Sequence, residues 1–151
     1  GVSVLEVLEK VNRIYMRPFE KSQIEIIQTV LSGDLIIKAT EAVLLQVFIN
    51  LYDNALYWLK TISTERKIQI CINAEERMII FSDNGPGIKK ESMPYVFEAF
   101  YSEKAEDGRG LGLYIAQQLL NRYNYNIGVL CDEDAKILSG ANFCIKYMEE
   151  E

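Results

Sequence analysis

The sequence predicts an α+β domain in which a mixed, mostly antiparallel sheet carries helices on one face. Its 151 residues are enough for one domain with its own core, and hydrophobic and charged fractions of 49% and 25% are typical of globular proteins. Apolar side chains recur at helical spacing in three segments, and the β-branched segments between them come in adjacent pairs. The resulting order, α-ββ-α-ββ-loop-α-ββ, is typical of two packed layers.

The N-terminal part is predicted to be a helix followed by two strands. Apolar side chains recur every three or four positions over residues 2–16, and Arg17-Pro18 is expected to end this helix. β-branched residues predict strands over residues 23–30 and 35–39, with a turn at residues 32–34 between them.

The central part is predicted to be a long helix followed by a hairpin. Thr40 is a suitable N-cap and Glu41 places an acid in the first turn, so the helix is expected to run from there to about residue 60. Residues 66–74 and 77–82 have the composition of two strands around a tight turn.

The C-terminal part begins with a break in regular structure at residues 83–87. Residues 88–110 show little periodicity apart from a short helical turn at residues 93–97, and a connection of this length is usually functional. A helix over residues 111–123 and strands over residues 125–132 and 141–148 are predicted to complete the domain.

The composition excludes several classes of function. A net charge of −6 is unfavourable for general DNA or RNA binding, which needs a basic surface. The chain contains no histidine, so it holds no histidine base, no His-ligated zinc and no Ser-His-Asp triad of its own. Cys71, Cys131 and Cys144 form no CxxC pair and are expected to be free thiols in a reducing compartment.

The sequence also indicates the cellular compartment expected for this domain. No apolar run reaches the ~18–20 residues that a membrane span needs, and the N-terminus lacks the features of a signal peptide. Gly1 in place of Met suggests a piece of a longer protein. We therefore expect a cytoplasmic domain without direct membrane contact, whether or not the parent protein is anchored in a membrane.

The first chemical constellation is a polar stripe on the central helix, made of Gln46, Asn50, Asp53, Asn54 and Tyr57. One interpretation is a solvated face. Such a face usually carries Lys, Glu and Arg, however, whereas Asn and Asp are poorer helix formers. The alternative is a set of oxygen ligands for Mg²⁺, which takes one or two from the protein.

The second constellation is the turn Asp83-Asn84-Gly85-Pro86-Gly87-Ile88, which follows a predicted buried strand. Asp83 is either an ordinary turn residue or a carboxylate at the floor of a cavity, where it could accept a hydrogen bond from the amino group of a base. The glycines would let a flat ring approach the backbone.

The third constellation is Gly108-Arg109-Gly110-Leu111-Gly112-Leu113, directly before a predicted helix. It is either a flexible loop or an anion site of free N–H groups at a helix N-terminus. It matches neither a Walker A loop nor a Rossmann fingerprint. Lys104 and Arg109 add positive charge nearby and could meet phosphate.

Together these segments identify a family. Asn50-Leu51-Tyr52-Asp53-Asn54-Ala55, Asp83-Asn84-Gly85-Pro86-Gly87, Phe97-Glu98-Ala99-Phe100 and the glycine-rich segment follow one another in this order. The chain resembles the ATP-binding domain of sensor histidine kinases, in the superfamily shared with gyrase, Hsp90 and MutL, over residues 20 to 148. The resemblance implies a two-layer α/β sandwich, the Bergerat ATP-binding fold, over residues 20–151, with residues 1–19 as a helix and lead-in from an upstream segment.

The resemblance also implies roles for single residues. Asn54 would ligate Mg²⁺, Asn50 would lie beside the phosphates of ATP, and Asp83 would bind the adenine amino group. The catalytic residues that it implies are Asn50, Asn54 and Lys104. The other nucleotide-contacting positions that it implies are Tyr57, Gly85, Gly87, Ile88, Phe97, Phe100, Gly108, Arg109, Gly110, Leu111 and Gly112. Phe97 and Phe100 would anchor the start of a lid, defined as residues 98–110, from which Lys104 would reach toward phosphate.

Two positions depart from related proteins in the superfamily. Tyr57 stands where many of these kinases carry a basic residue, so phosphate neutralisation would depend on Mg²⁺, Lys104 and Arg109. Asn50 stands where the hydrolases place a glutamate that activates water, and an amide is no general base. Asp53 is the remaining candidate base.

The resemblance therefore favours phosphoryl transfer over hydrolysis. The implied acceptor is a histidine on a separate, upstream dimerisation domain, with a response regulator downstream. The alternatives are an ATPase or a Ser/Thr kinase of the same superfamily, or a nucleotide-binding module without catalysis.

Overall fold

A computed structural model of the protein describes residues 1–104 and 110–149. Within these ranges it contains three α-helices: α1 (Val4–Lys21), α2 (Glu41–Leu59) and α3 (Gly112–Asn121). The strands in these ranges are β1 (Val2–Ser3), β2 (Ile24–Leu31), β3 (Ile36–Ile37), β4 (Arg66–Asn73), β5 (Met78–Asp83), β6 (Tyr125–Val129) and β7 (Asn142–Tyr147). Short 3₁₀ turns lie at Met93–Tyr95 and Glu133–Ala135.

The main sheet has the strand order β2-β4-β5-β7-β6. β2 and β4 pair in parallel, and the other neighbours are antiparallel. The helices pack against one face, where alternate strand residues such as Ile68, Ile70 and Phe81 are buried in a single core. The predicted α+β sandwich with a mixed, mostly antiparallel sheet is therefore confirmed.

The second predicted strand has a different partner from the one expected. The strand predicted over residues 35–39 is reduced to the two residues of β3, which pairs with β1, with Val2 opposite Ile37, and not with the adjacent β2. β2 instead runs parallel to β4, and α2 makes the crossover between them. The small ladder lies at the start of α1, where the Val4 N–H donates to the Leu35 carbonyl at 3.0 Å.

The first helix does not end at Arg17-Pro18 but continues through Pro18 to Lys21. Tertiary packing explains why the prediction was wrong. Phe19, in the last turn, is buried, and its ring stacks on Tyr52 at 5.7 Å between centroids. Burying this ring offsets the backbone hydrogen bond that Pro18 cannot donate.

The central helix forms as predicted and positions the polar stripe. The Thr40 hydroxyl accepts the Val43 N–H at 3.2 Å, which satisfies one of the free donors of the first turn. Leu44, Val47, Phe48 and Leu51 are buried against the sheet, so the stripe faces away from it. No helix in the described part of the chain is long and apolar enough to cross a membrane.

Candidate functional site

A cavity of about 370 Å³ lies between α2, the end of β5, the start of α3 and the chain that leads to residue 104. Its lining brings together residues from all three constellations. The predicted site residues among its walls are Asn50, Asn54, Asp83, Gly87, Ile88, Lys104, Gly110, Leu111 and Gly112.

The remaining predicted residues lie beside the cavity or outside the described residues. Gly85 and Tyr57 contact residues of the cavity wall without lining it, and Phe97 packs edge-on against Phe143, a wall residue, at 6.1 Å. Gly108 and Arg109 lie outside the described residues, and their roles remain predictions.

Asp83 forms the floor of the cavity at the end of β5. It is only 2% exposed, and its Oδ1 accepts the N–H groups of Gly85 at 2.9 Å and Ala141 at 3.2 Å. Within residues 1–104 and 110–149, both of its side-chain hydrogen bonds use Oδ1, which leaves Oδ2 for a ligand. Burial raises the pKa of the carboxyl, and the two N–H donors partly oppose that rise.

Gly140 shapes this floor, although the sequence analysis gave it no role. A Cβ at Gly140 would contact the Asp83 carboxylate and would lie 2.6 Å from the Asp83 carbonyl oxygen and 2.7 Å from the Gly85 nitrogen. The Gly140 N–H also donates to the Asp83 carbonyl at 2.9 Å. Only glycine fits this approach. No local sequence pattern marks this contact.

Asn50 joins the central helix to the start of α3. Its Nδ2 donates to the Gly112 carbonyl at 2.9 Å, and its Oδ1 accepts Nε2 of Gln46 at 2.7 Å. Both ends of the amide are therefore engaged, and its orientation is fixed. The side chain holds the glycine-rich turn against the cavity wall.

Asn54 and Asp53 lie one turn further along α2 and line the same wall. Within the described residues the Asn54 amide makes no side-chain hydrogen bond, so its oxygen is available to a ligand. Asp53 is engaged, because the hydroxyl of Tyr15 on α1 donates to its Oδ1. An unengaged amide oxygen in a half-buried position suits Mg²⁺, which prefers oxygen ligands and keeps several waters. No cluster of three or more His, Cys, Asp or Glu in the described residues offers another metal site.

The glycine-rich turn brings the N-terminus of α3 to the cavity. Leu111 is the N-cap and supplies no capping side chain, so among residues 1–104 and 110–149 the helix start has no side-chain cap for its first N–H groups. Gly110 has φ +69°, and a Cβ there would lie 2.5 Å from the Tyr101 nitrogen and oxygen. This end of the helix, with its partial positive charge, suits an anion.

The ring of Phe100 was expected to anchor the lid, but it is 78% exposed. Its backbone makes the connection instead, since the Phe100 N–H donates to the Gly110 carbonyl at 2.9 Å. Phe97 is the ring of this segment that packs against the core.

Lys104 lines the cavity at the end of the segment that follows the 3₁₀ turn. Its Nζ lies 5.1 Å from the centroid of the Tyr57 ring, within the range of a cation–π interaction. Burial lowers the pKa of its ammonium group, and the charge of Asp53 opposes that shift. The lysine is thus half-buried between two side chains of α2.

A polar cluster that the sequence analysis missed holds the chain next to Lys104. Glu103 accepts hydrogen bonds from the hydroxyls of Ser92, which is 5% exposed, and of Tyr101, at 2.8 Å for the latter. The Ser92 hydrogen bond, with that of Tyr101, lowers the pKa of Glu103. These residues connect the 3₁₀ turn to the residues that line the cavity.

Comparisons with known proteins identify the family of the chain. The family model described as "Histidine kinase-, DNA gyrase B-, and HSP90-like ATPase" matches residues 39–150. The chain therefore belongs to this family, and its resemblance to the ATP-binding domain of sensor histidine kinases is confirmed.

Relatives and solved structures give the same result. The sensor protein SrrB of Staphylococcus aureus is 32% identical over 111 residues, which cover 70% of this chain and 18% of that protein. A mycobacterial sensor histidine kinase, MprB, superposes with a TM-score of 0.75 at 25% identity, over 95% of this chain and 93% of that one. Full-length ShkA in complex with AMPPNP superposes with a TM-score of 0.75 at 26% identity, over 97% of this chain and 30% of that one. The chain thus spans about a fifth of the length of the curated relatives it matches.

Proposed function

We propose that this chain binds ATP with Mg²⁺ in the cavity and donates the γ-phosphoryl group to a histidine of a separate domain. The observation that carries the proposal is a pair of oxygens in one cavity that accept no hydrogen bond from the described residues: Oδ2 of Asp83 at the floor and the amide oxygen of Asn54 on the α2 wall. The first suits the amino group of adenine, and the second suits a cation beside phosphate. A nucleotide bound with its metal ion needs an acceptor for the base and an oxygen ligand for the metal in the same cavity.

Adenine would lie over Gly87 and Ile88, with its amino group donating to Asp83. The two backbone N–H donors on Oδ1 keep the carboxylate in place, so its other oxygen has a fixed direction. A base without an amino group would leave a buried acceptor unpaired, which typically costs about 1–3 kcal/mol. This contact would therefore favour adenine over a base that presents no amino group at this position.

The phosphates would lie between α2 and α3. The N–H groups at the start of α3, at Gly112 and Leu113, together with Lys104, would neutralise their charge. Asn54 would hold Mg²⁺, which supplies charge neutralisation of the phosphate oxygens. Asn50 would act indirectly, by keeping the turn at Gly112 against the cavity.

The wall of the cavity favours transfer over hydrolysis. Asn50 has no basic group, and Oδ1 of Asp53 already accepts the Tyr15 hydroxyl, so that oxygen is engaged. In the transfer, the bond between the γ-phosphorus and the β–γ bridging oxygen breaks, ADP leaves, and a phosphorus–nitrogen bond forms on the acceptor imidazole, which releases its proton. The acceptor lies outside these residues, because the sequence contains no histidine.

The partners follow from the same reaction. The histidine would be carried by an upstream dimerisation domain of the parent protein, reached through residues 1–19, and a response regulator would take the phosphoryl group onward. We place this reaction in the cytoplasm, without nucleic acid or direct membrane contact.

The test uses the parent protein with γ-labelled ATP, with and without Mg²⁺. We expect acid-labile label on histidine, and we expect Asn54→Ala to abolish Mg²⁺-dependent labelling while sparing the fold. Asn121→Ala, at the exposed end of α3, is the matched control and should label normally. Phosphate release without labelled protein would instead indicate an ATPase, and binding with neither reaction would indicate a nucleotide-binding module.

A further inference from the structure

The position on α2 where many related kinases carry a basic residue holds Tyr57, so the helix itself brings no cation to the phosphate end of the cavity. The described structure places a cation there from elsewhere in the chain. Nζ of Lys104 lies over the face of the Tyr57 ring, 5.1 Å from its centroid, and Lys104 lines the cavity.

We propose that Tyr57 is a positioning residue, whose ring holds Lys104 over the phosphate end of the cavity and so replaces the missing cation of α2 by one from the lid. The inference rests on the proposed function, because it assumes that the anion in the cavity is the phosphate chain of ATP. The positive charge is the same as in a kinase with a basic residue at this place. The difference is that the charged side chain belongs to the lid and not to α2.

Two further features favour this position of the lysine: the charge of Asp53 and the support of the Tyr57 ring by Trp58. Asp53, one turn before Tyr57 on the same helix, lies close enough for its charge to favour the ammonium form of Lys104. Asp53 is itself held by the hydroxyl of Tyr15. Trp58 supports the ring, since it meets Tyr57 edge-on at 5.0 Å between centroids. The ring and the carboxylate together define where the ammonium group lies.

The arrangement also explains why a lysine at position 57 would not simply add to the site. Two ammonium groups in the same small volume would repel each other, and the aromatic face that attracts Lys104 would be gone. The positive charge beside the phosphates can therefore come from Lys104 held by Tyr57, or from a lysine at position 57 itself, but not usefully from both.

The test is a double-mutant cycle between positions 57 and 104, read as the affinity for ATP relative to adenosine. We expect Tyr57→Leu to weaken ATP binding by about threefold to tenfold and adenosine binding hardly at all, because the lost contact acts on phosphate. In the Lys104→Ala background the same substitution should have no further effect. Tyr57→Phe keeps the ring face and should keep the coupling to Lys104.

A charge-relocation variant gives the sharpest result. Tyr57→Lys combined with Lys104→Ala should bind ATP more tightly than Lys104→Ala alone, since the cation returns to the helix. Lys38→Ala, which removes an exposed lysine outside the cavity wall, controls for net charge. Thermal unfolding of each variant shows whether it is folded.

The proposal is overturned if Tyr57→Leu has the same effect with and without Lys104, or if Tyr57→Phe loses the coupling as Leu does. It is equally overturned if Tyr57→Lys gives no recovery. Failure of the proposed function has a different signature, because the unaltered protein would then bind neither ATP nor adenosine in an Asp83-dependent way.

Discussion

Gly140 matters because the floor of the cavity leaves no room for a side chain. We predict that Gly140→Ala lowers the free energy of unfolding by about 1–3 kcal/mol, since the added Cβ would overlap the backbone of Asp83 and Gly85. It should also weaken ATP binding, because the Asp83 carboxylate would be displaced.

Gly128 supplies the control for this change. It lies on β6, and a Cβ there would meet nothing within 4 Å. Urea unfolding and titration with a fluorescent ATP analogue should separate the two alanine variants. Equal behaviour of the two would show that the contact with Asp83 is unimportant.

Asp83 should give the site a pH dependence. Burial raises the pKa of its carboxyl, so it binds a proton at a higher pH than an ordinary aspartate. As the pH falls through this raised value, the protonated group no longer offers the acceptor that adenine needs, and ATP affinity should fall. Asp83→Asn should weaken binding and remove this dependence.

The stability of the unliganded protein should change in the opposite sense. The folded state keeps the proton on Asp83 at pH values where the unfolded chain has lost it. The stability from this group is therefore fully present below the ordinary pKa and is lost as the pH rises through the raised one. Affinity and unfolding measurements from about pH 4 to neutral pH would check both trends, and parallel trends would refute the assignment.

At the scale of elements, the last turn of α1 forms although Pro18 cannot donate a backbone hydrogen bond within the helix. We predict that Pro18→Ala raises the free energy of unfolding by about 1–2 kcal/mol, because it restores a helix donor. Phe19→Ala should lower it by about 3–5 kcal/mol, because it empties a buried aromatic position. Arg17→Ala, in the same exposed turn, should change little. Chemical unfolding would measure all three, and a destabilising Pro18→Ala would contradict this account of the turn.

Elements whose signals are local could be predicted from the sequence. The Thr40 cap, the apolar face of α2 and the β4–β5 hairpin all depend on residues near one another in the chain. The end of α1 could not be predicted, because Phe19 is held by Tyr52, which belongs to another helix. The partner of β3 could not be predicted for the same reason, since it is the first strand of the chain.

The candidate site was predictable to the extent that short motifs carry it. Asn54, Asp83 and Gly112 come from three such motifs and line one cavity. Contacts between distant residues were beyond reach: no pattern links Gly140 to Asp83 or Tyr57 to Lys104. A steric restriction at one glycine and a cation–π contact between distant residues produce no recognisable pattern in the sequence.

At the scale of the whole molecule, the sheet joins the middle of the chain to its C-terminal part. β5, which ends at Asp83, lies between β4 and β7, and β7 is the last strand in the described part. The mixed topology places α2 as the crossover between β2 and β4, so the helix that carries Asn50 and Asn54 is fixed at both ends by strands.

The Ala141 N–H that holds Asp83 comes from the residue just before β7. The floor of the cavity is thus assembled from two segments that meet only when the chain has folded nearly to its C-terminal end. A piece that stopped before β7 would keep the glycine-rich motifs and lose both a donor to Asp83 and the strand that pairs with β5. The motifs are therefore not sufficient for binding by themselves. Ligand affinity depends on the complete, cooperatively folded domain, and its loss would report that the fold is incomplete.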